Sequence, residues 1–233
     1  MGMKKSIGIL VLVMASACLA EPIKSSVGAR NTVGIPHSLL PYDAEVEYLA
    51  SSGGGEYIDT GVYHYKTNDI YIKVYTFAQR INRHSERFYL ATNGVYQSKF
   101  QRYAQAGNFF YVGNLLYGQI PCRNLPTNVT YEVHVHAEDT GNRPGNEYAT
   151  INGIQYSNDY SWNTPQVSAS TVILFPNVNT GNRIYYFRID NQISLKPVRK
   201  GNVGYMYDEM TGMLYGNCAG KGGFIIGPDV PEP

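Results

Sequence analysis

Short runs of alternating or aromatic-rich residues, broken at regular intervals by glycine, asparagine and proline, constrain this chain more than any other feature. Clear runs are Asp69 to Phe77 (DIYIKVYTF), Tyr131 to His136 (YEVHVH), Thr171 to Phe175 (TVILF), Arg183 to Ile189 (RIYYFRI) and Val203 to Tyr207 (VGYMY). Turn signals separate them, among them Ser52-Gly53-Gly54-Gly55, Asn93-Gly94, Gly113-Asn114, Asn152-Gly153, Asn179-Thr180-Gly181-Asn182 and Thr211-Gly212. A period of two places successive side chains on opposite faces of a strand, and no window after residue 20 repeats apolar residues at helical spacing. The aromatic content agrees: 21 Tyr against 8 Phe and 1 Trp favours the residue that suits half-buried strands. The pattern predicts an all-β, two-sheet antiparallel sandwich in one domain. Its apolar phase nominates Tyr48, Ile58, Ile72, Val74, Val133, Val135, Ile173, Phe175, Phe187, Ile189, Tyr205 and Phe224 as core.

Residues 1–20 (MGMKKSIGILVLVMASACLA) read differently, with a basic start at Lys4 and Lys5, an apolar stretch from Ile7 and small residues at the end. This is the three-part build of a secretory signal, and its apolar stretch is shorter than the roughly 20 residues a helix needs to cross a bilayer. Two cut sites compete. An ordinary signal peptidase would cut after Ala20, whereas Ala15-Ser16-Ala17-Cys18 resembles a bacterial lipobox in which Cys18 would be lipidated. The chain is therefore expected to be exported, as a secreted, periplasmic or cell-surface protein, or as an outer-membrane lipoprotein anchored through Cys18. Residues 21–40 are polar and aperiodic, a flexible linker to a domain expected over 41–228, with a tail over 229–233.

Removing residues 1–20 takes the formal net charge from +1 to about −1, which argues against a nucleic-acid partner or a general binder of anionic membranes. It also leaves only Cys122 and Cys218 if Cys18 departs with the signal. In an exported chain two cysteines suggest a disulfide, with a loop long enough to contribute about 4 to 5 kcal/mol in the chain-entropy model. Two buried free thiols are the alternative.

The C-terminal third carries Ile184-Tyr185-Tyr186-Phe187-Arg188-Ile189-Asp190, then Lys196-Pro197-Val198-Arg199-Lys200-Gly201-Asn202-Val203-Gly204-Tyr205-Met206-Tyr207-Asp208, then Thr211-Gly212-Met213-Leu214-Tyr215-Gly216-Asn217. With Glu45-Val46-Glu47-Tyr48-Leu49 and Glu56-Tyr57-Ile58-Asp59-Thr60-Gly61-Val62 near the start, this resembles the laminin-G-like domains of the concanavalin A-like lectin/glucanase superfamily. Such domains recur in bacterial and phage surface proteins. The resemblance covers about residues 41–227 and implies a jelly roll whose first and last strands lie side by side; it implies a fold far more than a function.

Four groups of residues are candidates for chemistry. Asp43, Glu45 and Glu47 would share one strand face, but glycosidases need two carboxyls in unlike environments across a cleft, and the superfamily's glucanases carry Glu-x-Asp-x-(x)-Glu on an interior strand flanked by Trp. A solvated face is expected instead, with no catalytic residue. Glu132, His134, His136 and Glu138 also share a face, and a His-x-His pair on a strand can chelate a divalent metal; alternation of this kind equally marks a strand facing water, and no metal or other cofactor is assigned. His37, His64 and His84 fall in linker or loop contexts, and Lys196 to Lys200 reads as an exposed connection. Asn158, Asp159, Tyr160 and Trp162 form an aromatic-polar loop of the kind that stacks on a sugar face and bonds its hydroxyls, unless Trp162 caps the core. The expected function is an exported, non-catalytic recognition domain for a glycan or surface protein. A structural or adhesin component is the alternative, and a polysaccharide hydrolase stands behind both.

Overall fold

The computed structural model describes residues 39–65, 68–77, 85–93, 96–103, 109–116, 120–122, 125–137, 147–158, 167–177 and 180–231. The expected signal peptide with Cys18, nearly all of the linker, and Asp159, Tyr160 and Trp162 lie outside them. The strands are β1 (Ala44–Glu45), β2 (Leu49–Ala50), β3 (Ile58–Tyr65), β4 (Ile70–Thr76), β5 (Ser85–Asn93), β6 (Tyr96–Tyr103), β7 (Phe109–Leu116), β8 (Ile120–Cys122), β9 (Val129–Ala137), β10 (Glu147–Ile151), β11 (Ile154–Asn158), β12 (Val167–Asn177), β13 (Arg183–Ile189), β14 (Ile193–Lys200), β15 (Val203–Asp208), β16 (Leu214–Tyr215) and β17 (Ile225–Ile226). No α-helix occurs among the described residues.

These strands form two antiparallel sheets, one of eleven strands and one of six. The larger runs β11-β10-β9-β4-β13-β14-β15-β16, with β1 on β14 and with β2 between β13 and β17; the smaller runs β3-β12-β5-β6-β7-β8. Alternation explains the packing. Along β4, Ile70, Ile72 and Val74 are buried while Tyr71, Lys73 and Tyr75 face outward, and β9 does the same with Tyr131, Val133 and Val135. Their buried faces meet Phe88, Tyr89, Phe100, Val172 and Leu174 of the smaller sheet in one core, where the Tyr89 and Phe187 rings lie 5.6 Å apart. Each fully buried aliphatic side chain there contributes about 1.5 to 3 kcal/mol. The result is a jelly-roll-like β-sandwich.

The chain's ends close on each other. Leu49 of β2 pairs with Ile226 of β17, and Val46 bridges to Asp229. Gly204 of β15 permits this approach, because a Cβ there would stand 2.5 Å from Leu49 Cδ2. Ordered pairing extends to Val230, whose N–H donates to the Glu45 carbonyl at 2.9 Å, two residues past the expected domain end. At the start, Leu40 joins a small outer cluster of Tyr42, Val198, Tyr207 and Leu214, which covers the β14–β15 end of the larger sheet.

Three expectations are corrected. Ile173 is only half-buried; Val172 and Leu174 hold the core face of β12, and a positive φ of 57° at Phe175 lets it follow Leu174 inward on the same side. Tyr48 and Tyr205 are half-buried rather than core. Lys196 to Lys200 belongs to strand β14, with Pro197 and Val198 buried and with Lys196 and Arg199 paired to acids at both ends of the domain. Lys196 bonds Glu45 and lies 3.2 Å from Glu209, while Arg199 reaches Asp229 at 2.7 Å and Asp43 at 4.0 Å. Asp43 and Glu45 thus sit on a sheet edge neutralised by neighbours, and Glu47 is exposed.

Candidate functional site

Because the opening segment covers one end of the larger sheet, the outer face left open is built by β13, β4, β9 and β10. Register sets its side chains in ranks. Arg188 pairs with Tyr71, Tyr71 with His134, and His134 with Thr150, so one rank crosses four strands. The next holds Tyr186, Lys73 and Glu132. Cross-strand neighbours at this spacing interact directly.

The rings form a continuous ladder. The Arg188 guanidinium lies 4.3 Å over Tyr71, and Tyr71 stacks on His134 at 4.2 Å with planes 6° apart. His134 stacks on His136 at 5.1 Å, and His136 on Tyr148 at 5.0 Å. Asp69 anchors the ladder: its Oδ2 is 2.9 Å from His134 Nε2 and accepts the Tyr71 hydroxyl at 3.3 Å. Burial, helped by Asp69 and Asp190, pushes the Tyr71 phenol up, so its hydroxyl stays a donor at neutral pH. Farther along, Arg183 lies 4.2 Å from the Tyr48 ring and 4.8 Å from that of Tyr75.

Beside the ladder lies a shallow depression of about 240 Å³, lined by Tyr71, Glu132, His134, Thr150, Asn152 and Tyr186 among others. Its charges balance in pairs: Lys73 with Glu132 at 2.8 Å, Arg188 with Asp190 at 2.8 Å, and His134 with Asp69. The Glu132 hydrogen bond raises the Lys73 ammonium against the opposing effect of burial, and burial raises the Tyr186 phenol. The cup offers hydroxyls, a carboxylate and an imidazole without a strong net charge. It suits a polyhydroxylated, uncharged ligand held by hydrogen bonds.

The residues nominated from sequence are dispersed. His134 and His136 do share a face, but their rings stack 25° from parallel instead of converging, and no group of three metal-binding side chains occurs among the described residues. Glu138 lies outside the described residues. Asn158 closes β11 opposite Glu147, while the rest of the loop through Trp162 lies outside the described residues. His64 is no loop residue: it is fully buried on β3, and burial lowers its imidazole to about 4. Cys122 is a free, buried thiol pushed up to about 12 by desolvation, so it is not joined to Cys218. Topology forbids that bond. Cys122 ends β8 at one edge of the smaller sheet, while Cys218 donates its N–H to Tyr57 beside β3 at the opposite edge. Four strands intervene, on the order of 20 Å at the usual interstrand spacing, against the roughly 6 Å a disulfide spans.

Tyr71, Thr150, Tyr186 and Arg188 were not singled out by sequence reasoning. The alternations Tyr71-x-Lys73-x-Tyr75 and Tyr186-x-Arg188 were visible, but only strand order brings them together.

No family model and no curated protein matches the chain. Among solved structures, the crystal structure of a scytalido-glutamic peptidase with a peptide-based transition-state analogue aligns over 70% of this chain and 83% of its own, at 10% identity and a TM-score of 0.33. So loose a superposition leaves that enzyme's chemistry with that enzyme.

Proposed function

We propose that this chain is an exported, non-catalytic recognition domain that binds a glycan, or the glycan-bearing surface of a partner, on the outer face of its larger sheet. The observation that carries the reading is the Tyr71–His134–His136–Tyr148 ladder beside the depression of about 240 Å³. A ladder of mutually stacked rings is rigid, and rigid donors and acceptors lose little entropy on binding. Export rests on the signal-like residues 1–20. The absence of catalysis is part of the proposal, supported by the pairing of Asp43 and Glu45 with Arg199 and Lys196 on a sheet edge.

A glycan array probed with the chain lacking residues 1–20 tests it. Saturable binding to a neutral oligosaccharide is expected, lost in Tyr186→Ala and Thr150→Val while the thermal midpoint is retained. Trp162→Ala in the same array decides between this face and the Asn158-to-Trp162 loop. Binding lost only in Trp162→Ala moves the site to the loop, and no binding by the parent chain sinks recognition in favour of a structural surface component.

A further inference from the structure

The smaller sheet carries a second polar cluster of opposite character. On β6, Ser98, Phe100 and Arg102 alternate with Gln97, Lys99 and Gln101, and Phe100 packs on Phe88 within the core at 5.5 Å. Gln97, Lys99 and Gln101 therefore stand on the sheet's other face. Arg87 of β5 is paired directly with Gln101 and donates from Nε to Gln101 Oε1 at 3.2 Å; Lys99 Nζ donates to Gln97 Oε1 at 2.6 Å. On the other side Lys99 pairs with Gly113 of β7, so no side chain at that position stands over the ammonium.

Lys99 is only 3% exposed, yet among the described residues no carboxylate lies within ion-pair distance of it or of Arg87. Lys73, Arg188, Lys196 and Arg199, by contrast, each have an acid partner, and Arg183 lies over the Tyr48 and Tyr75 rings. A desolvated ammonium beside a guanidinium is costly without a counter-charge, and burial together with Arg87 pulls Lys99 down to about 8. The glutamine carbonyls are already used by the two cations. What remains unspent is donors alone: the free hydrogens of Lys99, the terminal nitrogens of Arg87 and the two glutamine amides. Such a set matches the geometry of an oxyanion, since a guanidinium fork takes a carboxylate or sulfate with two parallel hydrogen bonds.

We propose that this face of the smaller sheet binds an oxyanion, the carboxylate or sulfate group of an acidic saccharide, between Lys99 and Arg87 with the Gln97 and Gln101 amides donating to it. The site lies on the opposite sheet from the depression near Tyr186 and stands whether or not that depression binds a neutral sugar.

Calorimetric titration at constant ionic strength and pH 7 with sodium sulfate, sodium glucuronate and methyl glucoside tests it. Sulfate or glucuronate is expected to bind and the uncharged glucoside not to. Equal affinity for the two anions means that the charge alone is read, and tighter glucuronate means that the sugar ring is read too. Lys99→Met and Arg87→Gln should each weaken binding about tenfold or more, the equivalent of roughly 1.4 kcal/mol. Lys99→Met replaces a buried cation with an apolar chain of similar length and should fold; should it not, Arg87→Gln alone carries the test. In the parent chain the Lys99 13Cε resonance should titrate about 8 when free and move upward with sulfate. Failure of both anions to bind, undiminished binding by the variants, or a Lys99 titration that sulfate leaves in place would overturn the proposal.

Discussion

Arg102 and Glu86 form an ion pair inside the sandwich, 3.3 Å apart, with side chains only 3% and 2% exposed. Arg102 also donates to the Phe77 carbonyl at 2.7 Å, and Asn182 donates to Glu86 at 2.8 Å while accepting from the Phe77 N–H. The pair ties β5 and β6 of one sheet to the ends of β4 and β13 of the other. Removing one partner leaves the other charge buried, so Glu86→Leu or Arg102→Leu should cost about 3 to 5 kcal/mol in urea unfolding. The double variant should recover part of that loss. Single variants within 1 kcal/mol of the parent, a threshold set by ordinary surface ion pairs at about that size, would show the pair to be dispensable.

His64 makes the fold sensitive to acid. Burial lowers its folded-state value from 6.5 to about 4. The unfolded chain therefore takes up a proton first as pH falls, and stability drops between about pH 6.5 and 4, by about 3 kcal/mol in all. Above pH 6.5 the residue is neutral in both states and contributes no pH dependence. Urea midpoints at pH 7 and pH 5 should differ in the parent and differ less in His64→Leu. Equal losses in both would assign the acid sensitivity elsewhere.

Glu56 acts lower on the scale. Desolvation opposes its charge, but hydrogen bonds from Ser52, its own amide, Ser51 and the Gly54 N–H outweigh it and hold the carboxyl below the usual carboxylate range. Its stabilisation is present above the unfolded value and is lost as pH falls through the folded one. Glu56→Gln should lower the thermal midpoint at pH 7 and lose that difference at strongly acid pH; a constant difference across the range would refute this.

Asp208 organises the turn between β15 and β16. Its Oδ1 accepts the Ser194 and Met210 N–H groups at 2.9 and 3.1 Å, and its Oδ2 accepts the Thr211 hydroxyl at 2.5 Å. Gly212 follows with a φ of 77°, as the turn into β16 requires. Asp208→Ala should cost about 3 kcal/mol, since several partly buried donors lose a charged acceptor, and Asp208→Asn should cost less because its carbonyl keeps two of the three bonds. Calorimetric midpoints check the order, and an Asn variant as poor as Ala would contradict it.

Cys122 should resist thiol reagents in the native protein and react once the chain is unfolded, because burial holds it protonated up to about 12. Peptide mapping without reduction should find no Cys122–Cys218 link. Its detection would refute the free, buried state of Cys122.

The strands that sequence made legible are those with one wet and one dry face. Arg183–Ile189 is β13 as read, and the runs beginning at Asp69 and Tyr131 lie on β4 and β9. Residues 85–122 were opaque because β6 is buried on both faces: Phe100 and Arg102 on one, Lys99 and Gln101 on the other. A strand that buries polar side chains on both sides leaves no hydrophobic period to detect. On β12 the irregularity between Leu174 and Asn177, with Phe175 at positive φ, breaks the phase, which put Ile173 on the wrong side. The basic run from Lys196 looked like a connection because two of its acidic partners, Asp43 and Glu45, lie some 150 residues away in sequence. The candidate face was unreadable for a related reason. Tyr71, His134, Thr150 and Arg188 become neighbours only through the strand order β13-β4-β9-β10.

The pairing of Leu49 with Ile226 joins segments 177 residues apart, so this contact forms only when nearly the whole domain has been synthesised. β2 is held on one side by β13 and on the other by β17, so its second partner exists only once residues 225–226 have been made. A truncation that removes β17 therefore strips β2 of one partner and should weaken the same corner of the sheet as the loss of β2 itself.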